Sequence, residues 1–136
     1  MSKNFIFNTK VYYEDTDAGG IVYYANYLKF IERARSEMIK EIGFSNNFLL
    51  KNNNAFIIVK SCNLEFKKSA RLEDELKIFS SIKFISKSSF KMSQLITRSN
   101  ELLVISLVHL VFVNKDGKII KIPEILSNKL KFFLSK

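Results

Sequence analysis

Cysteine, proline and histidine each occur once in these 136 residues, and glycine only four times. A single cysteine, Cys62, rules out an intrachain disulfide, and cysteine poverty of this kind fits a reducing compartment. Cys62 lies in an apolar-rich stretch and reads as a small packed hydrophobe. The one proline, Pro123, stands near the end, and no segment rich in Pro, Gly or Ser divides the chain. Residues 1–136 are therefore expected to form one domain. The one histidine, His109, sits inside the apolar run LVHLVFV and reads as a packed side chain. No His, Cys and acid cluster has metal-ligand spacing, so neither a metal nor another cofactor is expected. No G-x-S-x-G elbow and no glycine-rich phosphate loop is present. The longest apolar run, Leu102 to Val113, is twelve residues and is broken by Ser106 and His109. That is short of the ~18 needed for a membrane span. Met1 to Phe7 is too short and too polar for a secretion signal. A soluble, cytoplasmic protein is the expectation.

What is abundant is positive charge. Lysine and arginine total 22 against 13 acids, a net charge of +9. Such a balance favours polyanionic partners, among them nucleic acid, an acidic membrane surface, an acidic carrier protein and a phosphate-rich cofactor. The basic residues are scattered and the strand-like segments lack an aromatic-basic recognition motif, so nucleic acid is not the expected partner.

Periodicity divides the chain. Residues 4–13 place Phe5, Phe7, Val11 and Tyr13 on one face at period two, which is strand-like. Residues 14–25 open with acids and contain Gly19-Gly20, a loop pattern. Asn26 is placed to cap a helix, and Tyr27, Ile31, Ala34, Met38 and Ile42 follow at helical spacing. Gly43 stops that helix. After a polar loop at Asn52-Asn53-Asn54, residues 55–67, 75–86, 88–98 and 102–114 read as strands. In them Leu76, Ile78, Ile82 and Phe84 alternate with more polar neighbours, as do Phe90, Met92 and Ile96. Short connections at Ser86-Lys87-Ser88 and Ser99-Asn100 predict antiparallel neighbours, and Asp116-Gly117 predicts a turn. Pro123 opens a short C-terminal helix to about Leu134. One amphipathic helix among five strands is an α+β arrangement, satisfied by a sheet curled around the helix. A cystatin-like sheet on a helix has the same element order.

The most unusual stretch is Tyr12 to Arg35, YYEDTDAGGIVYYANYLKFIERAR. Glu14, Asp15 and Asp17 fall at a strand-to-loop boundary, followed by two glycines, aromatic residues and a helix start. Asp and Gly are ordinary turn formers, so solvated turn acids are one reading. The other is a carboxylate beside a helix N-terminus, where unpaired N–H groups receive developing negative charge. Acyl transfer uses that pair: a base or nucleophile, and donors aimed at the oxyanion. Glycine lets a ligand approach the backbone closely.

Tyr13 to Tyr23, with Asn26-Tyr27 and Glu32 to Arg35, resembles the motif of the YbgC and 4-hydroxybenzoyl-CoA thioesterase family. Residues 63–74 (NLEFKKSARLED) and 122–124 (IPE) resemble later segments of that family, so the likeness runs through about the whole chain. The resemblance implies the hot-dog fold, one long central helix wrapped by a five-stranded, mostly antiparallel sheet. It implies acyl-CoA thioester hydrolysis, homodimers or homotetramers, and sites at the subunit interface. Asp17 matches the catalytic aspartate, and Tyr24 the position whose backbone N–H polarises the thioester carbonyl. Asp15 is expected to be structural. Many YbgC-like members carry histidine at the Tyr24 position; the backbone donor survives the difference, but a proton-transfer role for that side chain does not.

Gly19, Gly20, Val22, Tyr23 and Tyr27 are the expected substrate contacts around these two. Lys60, Lys67, Lys68 and Arg71 are candidates for coenzyme A phosphates by position alone. Glu32, on the helix, is the second choice for catalysis. An acyl carrier protein thioester is a further possible substrate, since the positive charge would suit that acidic partner. Two rival functions remain: a hot-dog module that binds acyl-CoA or acyl carrier protein without turnover, and a hydratase, which would place a histidine near an acid.

Overall fold

The computed structural model describes residues 3–135. The chain runs through β1 (Phe5–Lys10), 3-10 turns at Tyr13–Asp15 and Tyr24–Asn26, α1 (Tyr27–Glu41) and α2 (Asn46–Asn53). It continues with β2 (Phe56–Phe66), β3 (Glu75–Ile85), β4 (Ser89–Arg98), β5 (Glu101–Val113), α3 (Glu124–Leu130) and a last 3-10 turn at Lys131–Phe133. The five strands form one sheet in the order β1-β3-β4-β5-β2, and every neighbouring pair is antiparallel. This is the expected hot-dog arrangement, with β1 and β2 as the sheet edges. No helix among the described residues is long and apolar enough to cross a membrane.

Packing explains why α1 exists. A 15-residue helix is marginal in water by itself. Phe30, Ile31, Ala34 and Met38 line its inner face and are fully buried. Opposite them the sheet presents Ile78, Ile82, Met92, Ile96, Val104, Val108 and Phe112, also fully covered. Each large side chain buried in this way contributes about 1.5–3 kcal/mol. A polar side chain reaches across this interface: Gln94 donates through Nε2 to the Ile31 carbonyl at 2.9 Å and to Ser80 Oγ at 3.1 Å. A helix carbonyl and the sheet are thereby tied at one point.

Several local expectations shift, each for a visible reason. β1 ends at Lys10 because the Asp15 carboxylate accepts from the Tyr12 N–H at 2.9 Å and draws the chain into a 3-10 turn. Tyr13 consequently faces solvent, 83% exposed. Asn26 has helical backbone and makes no side-chain cap; its Nδ2 donates to the Asp15 carbonyl at 2.8 Å. A bulge between Ile82 and Phe84 places Phe84 opposite Lys91 on the outer face, where its alternation with Ile82 predicted the core. Asn52 and Asn53, expected in a polar loop, instead end a helix that was not expected, α2, started by the Ser45 hydroxyl accepting from the Phe48 N–H at 3.1 Å. Cys62 is exposed, because β2 is an edge strand. Pro123 stands just before α3, and that helix stops at Leu130. Gly43 and Gly117 have the positive φ that their stop and turn positions demand.

Candidate active site

A tight loop holds Asp17. Thr16 and Val22 bridge antiparallel, the Asp17 N–H donates to the Ile21 carbonyl at 2.9 Å, and the Gly20 N–H donates to the Asp17 carbonyl at 3.0 Å. The Gly19 N–H donates to Asp17 Oδ1 at 2.8 Å, which orients the carboxylate. Asp17 itself remains exposed. Gly20 takes φ +79°, the left-handed region where a side chain is costly.

Behind the loop, Asp15 is the fastener. It is buried at 4% exposure, and its carbonyl accepts from the Tyr23 N–H at 3.1 Å as well as from Asn26. These bonds fix the approach to α1. The 3-10 turn at Tyr24–Asn26 then leads directly into that helix. N–H groups of a first helical turn have no intrahelical acceptor and carry the positive end of the helix dipole. Tyr24 opens that turn.

The other wall comes from far along the sequence. The Val22 N–H donates to the Ala70 carbonyl at 2.9 Å, the Leu72 N–H to the Gly20 carbonyl at 3.1 Å, and Ile21 bridges Arg71. The Ala70 N–H donates to the Tyr27 hydroxyl at 2.9 Å, and burial pushes the Tyr27 phenol above its ordinary range. The cleft between these walls, about 300 Å³ and open to solvent, is lined by Asp17, Ile21, Val22, Tyr23, Tyr24, Tyr27, Phe66, Lys68 and Ser69. The Phe66 ring lies tilted at 5.6 Å from the Tyr27 ring and edge-on at 6.4 Å from the Tyr24 ring, so the cleft floor is aromatic. The cleft therefore offers a carboxylate, the opening turn of a helix and an apolar wall.

The expected residues divide accordingly. Asp17, Val22, Tyr23, Tyr24 and Tyr27 share the cleft, and Gly19 and Gly20 shape the loop. Arg71 is held beside it through its backbone, its side chain exposed. Lys67 faces solvent and pairs with Glu65 at 3.5 Å. Lys60 is six residues before Phe66 on β2, roughly 20 Å along an extended strand, and so lies away from this cleft. Lys68 lines it while pairing with Glu101, whose carboxyl is held down to about 2 by the Lys68 and then the Arg98 hydrogen bonds. Phe66 and Ser69 were not anticipated as cleft residues.

Glu32 lies elsewhere. It is exposed, accepts from Ser36 Oγ, and borders a small cavity of about 70 Å³ with Arg35, Asn46, Ile57 and Met92. Arg35 makes one long bond, 3.4 Å to Gln94 Oε1, and burial pulls its guanidinium below its ordinary value. His109 is half-buried on the outer sheet face, opposite Ser61 and Lys91. Among the described residues no three His, Cys, Asp or Glu side chains are grouped to hold a metal.

The pattern of the thioesterase-like superfamily matches residues 11–130. This chain belongs to that superfamily. Within the family it is similar to the YbgC acyl-CoA thioesterase of Haemophilus influenzae, 34% identical over 103 residues that cover 76% of each protein. The YbgC acyl-CoA thioester hydrolase of Escherichia coli O157:H7 is 41% identical over 95 residues, 70% of each. A probable thioesterase from Bartonella henselae superposes with a TM-score of 0.86 at 32% identity, covering 88% of this chain and 99% of that one. The family match spans both walls of the cleft, from Asp17 to Ser69.

Proposed function

We propose that this protein hydrolyses acyl-CoA thioesters to a carboxylic acid and free CoA, with Asp17 as the reacting carboxylate. The observation that carries this reading is the joint placement of Asp17 and Tyr24, the opening residue of the turn into α1, in one aromatic-walled cleft. Attack on the carbonyl carbon by a water that Asp17 deprotonates gives a tetrahedral oxyanion. The Tyr24 N–H and the helix dipole stabilise that oxyanion. Its collapse breaks the C–S bond, and the thiolate leaves with the proton that Asp17 took up. Direct attack by Asp17 would instead give an acyl-aspartyl anhydride, which water then cleaves. Lys68, at the rim, suits the phosphates of CoA or the acidic surface of an acyl carrier protein.

The assembly that fits this reading is a homodimer closed over β2. On the inner side of this edge strand Val59 is 47% and Phe66 50% exposed, and Cys62 is uncovered. An edge strand with exposed apolar side chains invites pairing with another strand, and a second copy of β2 offers the same surface. Phe66 belongs to both the edge and the cleft, so the partner would help enclose the substrate.

Asp17→Asn tests the chemistry. It keeps the shape but removes the charge, the base and the nucleophile. Turnover, followed as free thiol released from acyl-CoA, should fall on the order of 10²–10⁴-fold, with binding of CoA little changed. Glu32→Gln should retain most activity. A folded Asp17→Asn protein with near-native turnover would remove Asp17 from the mechanism. A wild-type protein that binds acyl-CoA and releases no thiol would favour the non-catalytic binding module.

A further inference from the structure

We propose that the outer face of the sheet carries a second site, built around His109, that binds a phosphate-type oxyanion. The site lies apart from the Asp17 cleft and does not depend on thioester chemistry. In register, His109 of β5 faces Ser61 of β2 on one side and Lys91 of β4 on the other. Asn63 and Leu107 pair with each other two residues further along, on the same face. Together with Cys62 these residues line a cleft of about 300 Å³. The distance from Ser61 to Phe66, the nearest cleft residue on this strand, is roughly 17 Å at strand rise.

Two features make this cleft a site for an anion. His109 Nε2 is fully buried without a hydrogen-bond partner, and a covered, unsatisfied polar nitrogen is destabilising. The charged groups facing it are cations: Lys91 from β4, and Lys60 from the bulge between Val59 and Ser61. Burial, then Lys91 and Lys60, push the imidazole below its ordinary range. Neither lysine is paired with a carboxylate among the described residues; Lys91 Nζ instead rests 5.8 Å from the centre of the Phe84 ring. The acid on the same face of β2, Glu65, is already paired with Lys67 at 3.5 Å. An oxyanion here would accept from the two ammonium groups, the Ser61 hydroxyl and the Asn63 amide, and a rotation of the half-buried imidazole would bring Nε2–H into the same set. Donors converging from three strands suit the several oxygens and double charge of a phosphate monoester or inorganic phosphate better than a carboxylate. That chemistry has two sources, free phosphate and the 3′-phosphate of CoA.

A single histidine makes the test direct, because its imidazole NMR resonances need no assignment. Wild-type protein is titrated with inorganic phosphate, CoA and dephospho-CoA, against chloride at matched ionic strength. A bound anion favours the imidazolium, so phosphate should shift the His109 signals saturably and raise its apparent pKa. Lys91→Gln should weaken that binding about tenfold or more, the loss expected for one charged hydrogen bond. A response to CoA that dephospho-CoA lacks would identify the 3′-phosphate as the occupant, and a response to inorganic phosphate alone the free ion. Shifts no different from those in chloride, or equally strong in Lys91→Gln, would overturn the site.

Discussion

Gly19 and Gly20 stand side by side, yet a methyl group meets different obstacles at the two positions. At Gly19 a Cβ would lie 3.3 Å from Asp17 Oδ1, tight enough that the carboxylate must give way by a few tenths of an ångström. The backbone of Gly19 does not occupy the left-handed region, so the fold tolerates the change. At Gly20 a Cβ meets nothing within 4 Å, but φ is +79°. Gly19→Ala should therefore act on chemistry and Gly20→Ala on stability. Misplacing a reacting group by ~1 Å can cost about 10²-fold, so the smaller push at Gly19 should lower kcat by several-fold to about tenfold while KM and the melting temperature hold. Gly20→Ala should cost about 1–2 kcal/mol of stability, read by urea unfolding. The reverse pattern would mean that Gly19 does not orient Asp17. The motif was legible here because Asp17, the glycines and Tyr24 are contiguous in the chain, and their roles are local: turn, orientation, helix entry. Phe66, Lys68 and Ser69 complete the cleft through pairings such as Val22 with Ala70, across more than forty residues. No local pattern records such a pairing.

At the scale of elements, legibility followed periodicity. The helix at 27–42 and the four later strands repeat at 3.6 and at 2 for long enough to be read, and their observed bounds differ by at most one residue. Reading failed where side-chain chemistry overrides period. The Asp15 carboxylate ends β1 early, and an added residue at the Lys83 bulge turns Phe84 outward. α2 was missed because half of NNFLLKNN is asparagine, a poor helix former, with little apolar stripe. Its start depends on Ser45 Oγ, and its end on Asn54 in the left-handed conformation, φ 50°. Ser45→Ala removes the cap and should cost about 1 kcal/mol, a fall of a few degrees in melting temperature. Ser45→Asp, which keeps a capping oxygen, should restore it. No change in Ser45→Ala would show that α2 is held by packing of Leu49 alone, which is buried.

Among the described residues, apolar side chains stay at least partly uncovered on two parts of the sheet, and these make different predictions. One is the inner side of the β2 edge. The other crosses the outer face of the sheet, where register sets Ile6 against Phe79, Phe79 against Leu95, and Leu95 against Ile105. Ile6 is 47% exposed, and Phe79, Leu95 and Ile105 are half-buried. An antiparallel sheet with one solvated face ordinarily alternates apolar inside with polar outside. An unbroken apolar ladder across four strands departs from that rule, and a like ladder on a second dimer would cover it. The proposed homodimer would thus pair through β2 and double into a tetramer through this outer face. Leu95→Lys places a charge at the centre of the ladder, where a two-fold axis brings like surfaces together. Light scattering should then report dimers instead of tetramers, with thioester hydrolysis retained, because the Asp17 cleft lies on the other side of the sheet. Val59→Asp should break the earlier contact, giving monomers that have lost most activity along with the enclosing partner. Tetramers that survive Leu95→Lys would show that the ladder is not an interface. Fully active Val59→Asp monomers would show that one protomer holds a complete site.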